Sequence, residues 1–178
     1  MAAGIYEDTV LLTYAGVRPI DFEAAAWLLG QGADLGLVGR LLRQELSPEQ
    51  VGLFHQLLEG ARRVPGLRHE VLLASVEDPD KVQDAAGVVQ RVMDSIEADA
   101  FLGLIQQGNR VFVIGRARPE GPDMGAVAAQ LGGGGHPYAA SASLPGVPLA
   151  EARQRAEAAL RHQDGLVRTV GELASRPV

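Results

Sequence analysis

"LGGGGHPYAAS", Leu131 to Ser141, is the stretch on which the reading of this chain turns. Four consecutive glycines suit neither a helix nor a strand, because each loses more backbone entropy on ordering than any other residue. His136 follows at once, then a proline and small residues. A Walker-type loop is excluded, since no Lys-Ser/Thr follows the glycines. The dinucleotide fingerprint is excluded by context. That motif leads from strand to helix, whereas here a helical pattern precedes the glycines and a strand pattern follows them. Two readings stay open. The run can be a helix stop and a turn. It can also be an anion cradle, in which N–H groups without a neighbouring Cβ approach a phosphate and His136 donates a hydrogen bond or carries charge.

The flanks supply more. "VFVIGRAR" ends a strand with Arg116 and Arg118 at i, i+2 spacing, which puts both on one side of a sheet. Guanidinium groups suit bidentate phosphate recognition, although each arginine alone also reads as a solvated surface residue. Asp123 is placed to cap a short helix, "MGAVAAQL", and "AASASL" after the loop is a strand pattern. "PLAEARQRAEAALRH" is an amphipathic helix with Leu149, Ala152, Ala156 and Leu160 inward.

Upstream, "EVLLASV" (Glu70–Val76) is a short apolar strand, and Asp80 is placed to cap a helix with Val82, Ala85, Val89, Val92, Met93 and Ile96 apolar. "DAFLGLIQQGNRVFVIGRAR" is a hairpin turning at Gly108–Asn109. Asp78 and Asp80 imitate a metal-binding pair, but a strand-to-helix turn uses such residues for turn and cap chemistry. Strands alternating with helices predict a mixed α/β domain over about Leu67 to His162.

The first third is helical in pattern. Pro19 opens a helix that stops at Gly32, and Asp34 caps "LGLVGRLLRQE". Ser47, Pro48 and Gln50 make a capping-box start for a helix with Val51, Phe54, Leu57 and Leu58 on one face. Pro65–Gly66 breaks that pattern and is the expected domain boundary. The fold class is therefore α/β, with a helical N-terminal part and linker followed by a mixed-sheet domain.

Composition narrows the function classes. The hydrophobic fraction of 47 % supports a sizeable core, and the formal charge of −6 argues against a globally basic nucleic-acid binder. There is no cysteine, hence no disulfide, thiolate nucleophile or zinc–thiolate site. No apolar run approaches the roughly 20 residues of a membrane span, and "MAAGIYEDTV" lacks the regions of a signal peptide. A soluble cytoplasmic protein is the expectation.

"VFVIGRARPEGPDMGAVAAQLGGGGHPYAAS" resembles the signature of the DHH-associated substrate-binding domain. That module is the C-terminal partner of DHH-family phosphoesterases, which include RecJ-type exonucleases, oligoribonucleases and cyclic-dinucleotide phosphodiesterases. The resemblance covers most of Leu67–His162. It implies that Arg116, Arg118, Gly132, Gly133, Gly134, Gly135 and His136 hold the substrate nucleotide and its phosphates. "AAGIYEDTVLLTY" resembles the last motif of the DHH catalytic domain, G-I-x-x-D-T, with Val10 where the family usually has glycine. It implies that Asp8 is one ligand of a pair of Mn2+ or Mg2+ ions.

Two-metal chemistry needs several carboxylates and histidines converging on the ions. The chain has no Asp-His-His, and its four histidines, His55, His69, His136 and His162, are scattered. The expectation is a piece of a longer protein, inactive alone and holding no metal tightly. "TVGELASRPV" resembles the opening of a CBS domain, and Ser141 stands where many phosphoesterases have glycine. Both resemble the multidomain tRNA nucleotidyltransferase/poly(A) polymerase group.

The implied organisation is a DHH remnant over 1–46, a helical linker over 47–66, the DHH-associated domain over 67–163 and a CBS-like tail over 164–178. Two alternatives remain: a stand-alone oligoribonuclease or phosphoadenosine phosphatase lineage, and an RNA-binding module like that of alanyl-tRNA synthetases. The synthetase loop usually has arginine at the position of His136. Expected partners are short single-stranded RNA ends or nucleotides, held mainly at their phosphates, together with the absent catalytic half and CBS/nucleotidyltransferase domains. No membrane is implied, and a homodimer is allowed.

Overall fold

The structure, a computed structural model, describes residues 17–34, 37, 46–78 and 81–174, with backbone alone from 166 onward. The chain divides into two compact units, Met1–Glu45 and Leu46–Val178. In the first, helix α1 spans Pro19–Gly30. The Arg18 N–H donates to Asp21 Oδ2 at 2.8 Å across its first turn. Gly32, at φ +87°, follows its end as the sequence suggests. Asp34 accepts the Leu37 N–H at 3.0 Å, the bond of a helix cap. Most of the helix it would open lies outside the described residues, as does Asp8.

The second unit is a six-stranded mixed sheet in the order β1-β2-β3-β4-β6-β5. Its elements are α2 (Pro48–Gly60), β1 (Arg62–Arg63), β2 (Val71–Glu77), α3 (Ala85–Ser95), β3 (Ala100–Gln107), β4 (Arg110–Ala117), α4 (Met124–Gln130), β5 (Gly134–His136), β6 (Ala139–Pro145) and α5 (Leu149–Ala174). Only β2 and β3 pair in parallel. They are joined through α3, as a parallel pair requires a crossover. The hairpin β3–β4 turns at Gly108–Asn109 as predicted, with Gln107 opposite Arg110.

Each face of the sheet has its own core. On one, Leu73, Leu102, Leu104, Val113, Ala142 and Leu144 meet Met124 and Val127 of α4 and Ala152, Ala156 and Leu160 of α5. On the other, Phe101, Ile105 and Ile114 meet Leu53 and Leu57 of α2 and Val88, Val89 and Val92 of α3. The strand glycines set the spacing. A Cβ on Gly103 would lie 2.9 Å from a Val89 methyl, and one on Gly115 would lie 2.8 Å from Met124 Sδ. Glycine mid-strand here marks close approach of a helix.

Several expectations change. Helix α2 buries Leu53 and Leu57, whereas Val51 and Leu58 are exposed. The apolar stripe is centred one residue away from the expected face, because the sheet selects the line that meets Ala74 and Phe101. The segment 47–66, read as a helical linker, lies within the compact unit Leu46–Val178, and its helix packs Leu53 and Leu57 into the core. Ser47 does cap α2: its Oγ accepts the Gln50 N–H at 3.3 Å, and Gln50 Oε1 accepts the Ser47 N–H at 2.9 Å.

Helix α3 begins later than expected. Its cap is Asp84, in left-handed backbone at φ 51°, accepting the Gly87 N–H at 3.1 Å; Asp80 lies outside the described residues. Asp78 is buried, with Oδ2 accepting from the Val82 N–H at 2.8 Å and Gln107 Nε2 at 2.7 Å. That carboxylate closes a turn. Finally, α5 continues past His162 to Ala174, so the tail read as CBS-like opens in helix. No helix among the described residues is long and apolar enough to cross a membrane.

Candidate phosphate-binding edge of the sheet

The glycine loop is built by its neighbours. Asp123 caps α4 through the Ala126 N–H at 3.0 Å. The helix ends into Gly132 at φ +77°, and the Gly133 N–H reaches back to the Ala128 carbonyl at 2.9 Å. The chain then forms β5 and turns through Pro137–Tyr138 into β6. The Met124 N–H donates to the Pro137 carbonyl and the Ala117 N–H to the Tyr138 carbonyl, at 2.9 and 3.0 Å. Both ends of the hairpin turn are therefore tied to the α4 start and the β4 end.

Within the run the glycines differ. A Cβ on Gly133 would overlap the Ser141 carbonyl oxygen, and one on Gly135 would lie 2.5 Å from the Ala139 oxygen and the Ala140 Cα. These two are bare because β6 passes against them. Gly134 has nothing within 4 Å of the same position and no positive φ. No packing demand accounts for its missing side chain. A bare, exposed backbone at that point leaves room for a ligand to approach.

Register gathers the other candidates around it. His136 is opposite Ala139, and Ala139 is opposite Arg116; in the next row Gly134 is opposite Ser141, and Ser141 is opposite Ile114. Directly opposed residues in antiparallel strands share a face. Arg116 and His136 therefore stand on one face, in one row, beside the bare Gly134. His136 and Ser141 are exposed and Arg116 is half-buried.

Arg116 is held in place from α3. Its Nε donates to Gln90 Oε1 at 2.9 Å, Nη1 to its neighbour's carbonyl at Gly115 at 3.0 Å, and Nη2 approaches the Ala86 carbonyl at 3.4 Å. Burial lowers its pKa from the ordinary guanidinium value, and the negative charge of Asp84 opposes that shift. A cation taken partly out of water gains more from an incoming anion than an exposed one, because there is less solvent to screen the pair.

Arg118 stands elsewhere. Its Nε and Nη2 donate to the carbonyls of Ala98 and Ile96 at 2.9 and 2.8 Å, bracing the loop between α3 and β3. It lines a shallow depression with Glu70, Glu97 and Asp99, whose charge repels an anion. Strand β4 ends at Ala117, so the i, i+2 spacing keeps only Arg116 on the strand, and the two guanidinium groups reach different ends of α3, Arg116 at Ala86 and Gln90 and Arg118 just past Ser95. Sequence reading missed Gln90 and Asp84, because only the tertiary fold brings α3 against Arg116. Among the described residues no group of three His, Asp or Glu is placed to hold a metal ion. Asp8, the implied ligand, lies outside them, so no metal-dependent step follows from these side chains.

Comparison with known proteins gives these elements a lineage. The DHHA1 domain family matches residues 69–163. The A-adding tRNA nucleotidyltransferase of Geobacter sulfurreducens is 36 % identical over 178 residues, all of this chain and 20 % of that protein. The A-adding tRNA nucleotidyltransferase of Aquifex aeolicus is 29 % identical over 163 residues, 92 % of this chain and 20 % of that protein. The bifunctional oligoribonuclease and PAP phosphatase NrnA of Thermus thermophilus is 34 % identical over 173 residues, 90 % of this chain and 48 % of that protein. Among solved structures, an exopolyphosphatase-related protein from Bacteroides fragilis superposes with a TM-score of 0.74 at 20 % identity, over 92 % of this chain and 49 % of that one. That likeness is one of fold. The chain spans a fifth of the nucleotidyltransferases and about half of the oligoribonuclease.

Proposed function

This chain belongs to the DHHA1 domain family, and from that premise we propose that it binds the phosphate of a nucleotide or a single-stranded RNA end along the β4–β6–β5 edge. Arg116 and His136 supply the donors and the positive charge, and the bare backbone at Gly134 lets the phosphate come close. The observation that carries this reading is Gly134: the glycine of the loop with no steric or φ reason to be glycine lies one row from both side chains. Gly132, Gly133 and Gly135 serve the same end indirectly, by shaping the loop. Arg118 serves it by bracing the sheet edge on which Arg116 stands.

In an intact parent this domain is the substrate-holding half of a metal-dependent DHH-family phosphodiesterase. The remainder of the longer protein supplies the metal pair, and Asp8 is its one proposed contribution from this chain. The 36 % identity across the whole chain supports a parent of the multidomain tRNA nucleotidyltransferase/poly(A) polymerase kind. In such a parent, 1–46 is the end of the catalytic domain and the tail leads to a CBS domain.

The test is binding of a short fluorescent oligoadenylate to the 178-residue chain across a salt series, beside the Arg116→Ala/His136→Ala double variant. Saturable binding is expected. Between 50 and 200 mM salt it should weaken about 3- to 7-fold, the slope for one to two phosphate contacts on a single strand. Loss of binding in the folded double variant supports the reading. Equal binding by variant and parent chain overturns it.

A further inference from the structure

Behind Arg116, helix α3 presents three residues at four-residue spacing: Ala86, Gln90 and Asp94. Residues so spaced follow one another along one stripe of a helix. The first two hold the guanidinium, through the Ala86 carbonyl at 3.4 Å from Nη2 and Gln90 Oε1 at 2.9 Å from Nε. The third is linked to it through the second: Gln90 Nε2 donates to Asp94 Oδ1 at 2.9 Å. The chemistry of the two ends fixes the amide between them. A guanidinium has donors only, and an ionised carboxylate has acceptors only. The amide therefore turns its oxygen to Arg116 and its NH2 group to Asp94. The reverse placement sets donor against donor at Arg116 and acceptor against acceptor at Asp94. Asp94 also stands in the last turn of α3, where the helix macrodipole disfavours an acid, so helix stability alone gives no reason for a carboxylate at this position.

We propose that Asp94 is a positioning residue for the phosphate site: it orients the Gln90 amide, which holds the Arg116 guanidinium so that one fork of N–H groups is left for the ligand. The inference rests on the phosphate reading above and adds the device that sets its cation. A guanidinium carries five N–H donors. Among the described residues, Gln90, the Gly115 carbonyl and the Ala86 carbonyl each take one, from Nε, Nη1 and Nη2 in turn. One N–H on each Nη remains. That pair is a flat fork matching two oxygens of a single phosphate. With the amide reversed, Nε loses its acceptor and the fork is no longer held in register with His136. Charge and geometry at Asp94 act in opposite directions. As a bare negative charge it weakens the binding of an anion; as the group that orients Gln90 it strengthens that binding. An ordinary surface pair between Gln90 and Asp94, of the kind that steadies any helix, leaves Arg116 unaffected.

The experiment uses the isotope-labelled 178-residue chain. It reads two quantities: the NMR signal of the Arg116 Nε–H, identified by its absence in Arg116→Lys, and the affinity for the fluorescent oligoadenylate. Asp94→Lys puts a donor where the amide needs an acceptor. Gln90 and Asp94 are both exposed, lysine suits the last turn of a helix, and thermal melts establish that each variant is folded. Asp94→Lys should speed exchange of the Nε–H with water several-fold. It should weaken oligoadenylate binding about 3- to 10-fold, the loss of one hydrogen bond of ordinary strength, even though the added positive charge favours an anion. Asp94→Asn keeps an acceptor and should stay within about 2-fold of the parent in both readouts. In a Gln90→Leu background, Asp94→Lys should weaken binding no further, because the link is already cut. An Nε–H signal that Asp94→Lys leaves unmoved overturns the relay. Tighter binding by that variant also overturns it and marks Asp94 as a charge alone. A signal that moves while binding holds, or a parent chain that binds no oligoadenylate, overturns the phosphate reading at Arg116, and the positioning role falls with it.

Discussion

Gly133 and Gly135 sit one residue from Gly134, yet the two kinds of position answer to different demands. The first pair is pressed on the backbone of β6, where a methyl group would meet carbonyl oxygen and Cα atoms. Gly134 looks into open space on the row that leads to Ser141 and Ile114. The same contrast separates the two arginines. Arg118 holds two main-chain carbonyls together, whereas Arg116 is positioned by Gln90 in the row of His136. A motif that reads as a single unit is thus part framework and part open surface. Conservative substitutions tell the parts apart.

The largest effect is expected at Gly135. Gly135→Ala combines φ +145° with a clash against Ala139 and Ala140, so it should destabilise the unit by about 3 kcal/mol or more in urea unfolding. Gly134→Ala should stay within about 0.5 kcal/mol of the parent. If the two variants melt alike, the division of the loop into framework and surface is wrong.

Arg118→Ala removes two charge-assisted bonds to carbonyls of the α3–β3 loop. A loss of about 2 kcal/mol is expected, with oligoadenylate affinity unchanged once the protein is folded. Arg116→Ala should do the reverse and cost binding about 10-fold or more, in the range of a lost charged hydrogen bond. Matching binding defects in both would join the arginines into one site and undo the distinction.

Gly134→Ala sharpens the comparison from the ligand side. Its added methyl projects where the proposed phosphate approaches, so affinity for oligoadenylate should fall about 5- to 10-fold at nearly constant stability, as when one hydrogen bond of ordinary strength is lost. Unchanged affinity would leave Gly134 without a role.

The smallest effect lies away from the loop, at the start of α2. Ser47→Ala should cost about 1 kcal/mol as a lost N-cap. The hydrogen bond from Ser47 holds the Glu49 carboxyl below the usual carboxylate range, aided by backbone and opposed slightly by desolvation. A depressed pKa adds stability above the unfolded value, and that stability is lost as pH falls through the folded one. The deficit of Ser47→Ala relative to the parent should therefore narrow in acid, as followed by thermal melts from neutral pH downward. A deficit that grows in acid would contradict the sign of the shift.

Much of this molecule was legible from residues alone. Period-2 and helical patterns located the hairpin, β6 and the inward face of α5, because those elements bury one side of a regular repeat. Asp123 and Ser47 marked helix starts, since a side-chain oxygen there satisfies an N–H that the helix cannot. The glycine run, His136 and Arg116 were recognisable as one motif. Other features were settled only when distant segments met. The pattern of α2 puts Val51, Phe54, Leu57 and Leu58 on its inward face, and the sheet buries Leu57 together with Leu53 instead of Val51 and Leu58. The cap of α3 moved to Asp84, where Asp78 was already engaged by Val82 and Gln107. The equal-looking glycines of Leu131–Ser141 were sorted by which of them β6 passes against, and the two arginines by where the ends of α3 lie. Composition and periodicity record what a segment tends to do locally. Which bare backbone is filled by a neighbour, and which is left open to a ligand, depends on contacts between residues far apart in the chain, and these exist only in the folded molecule.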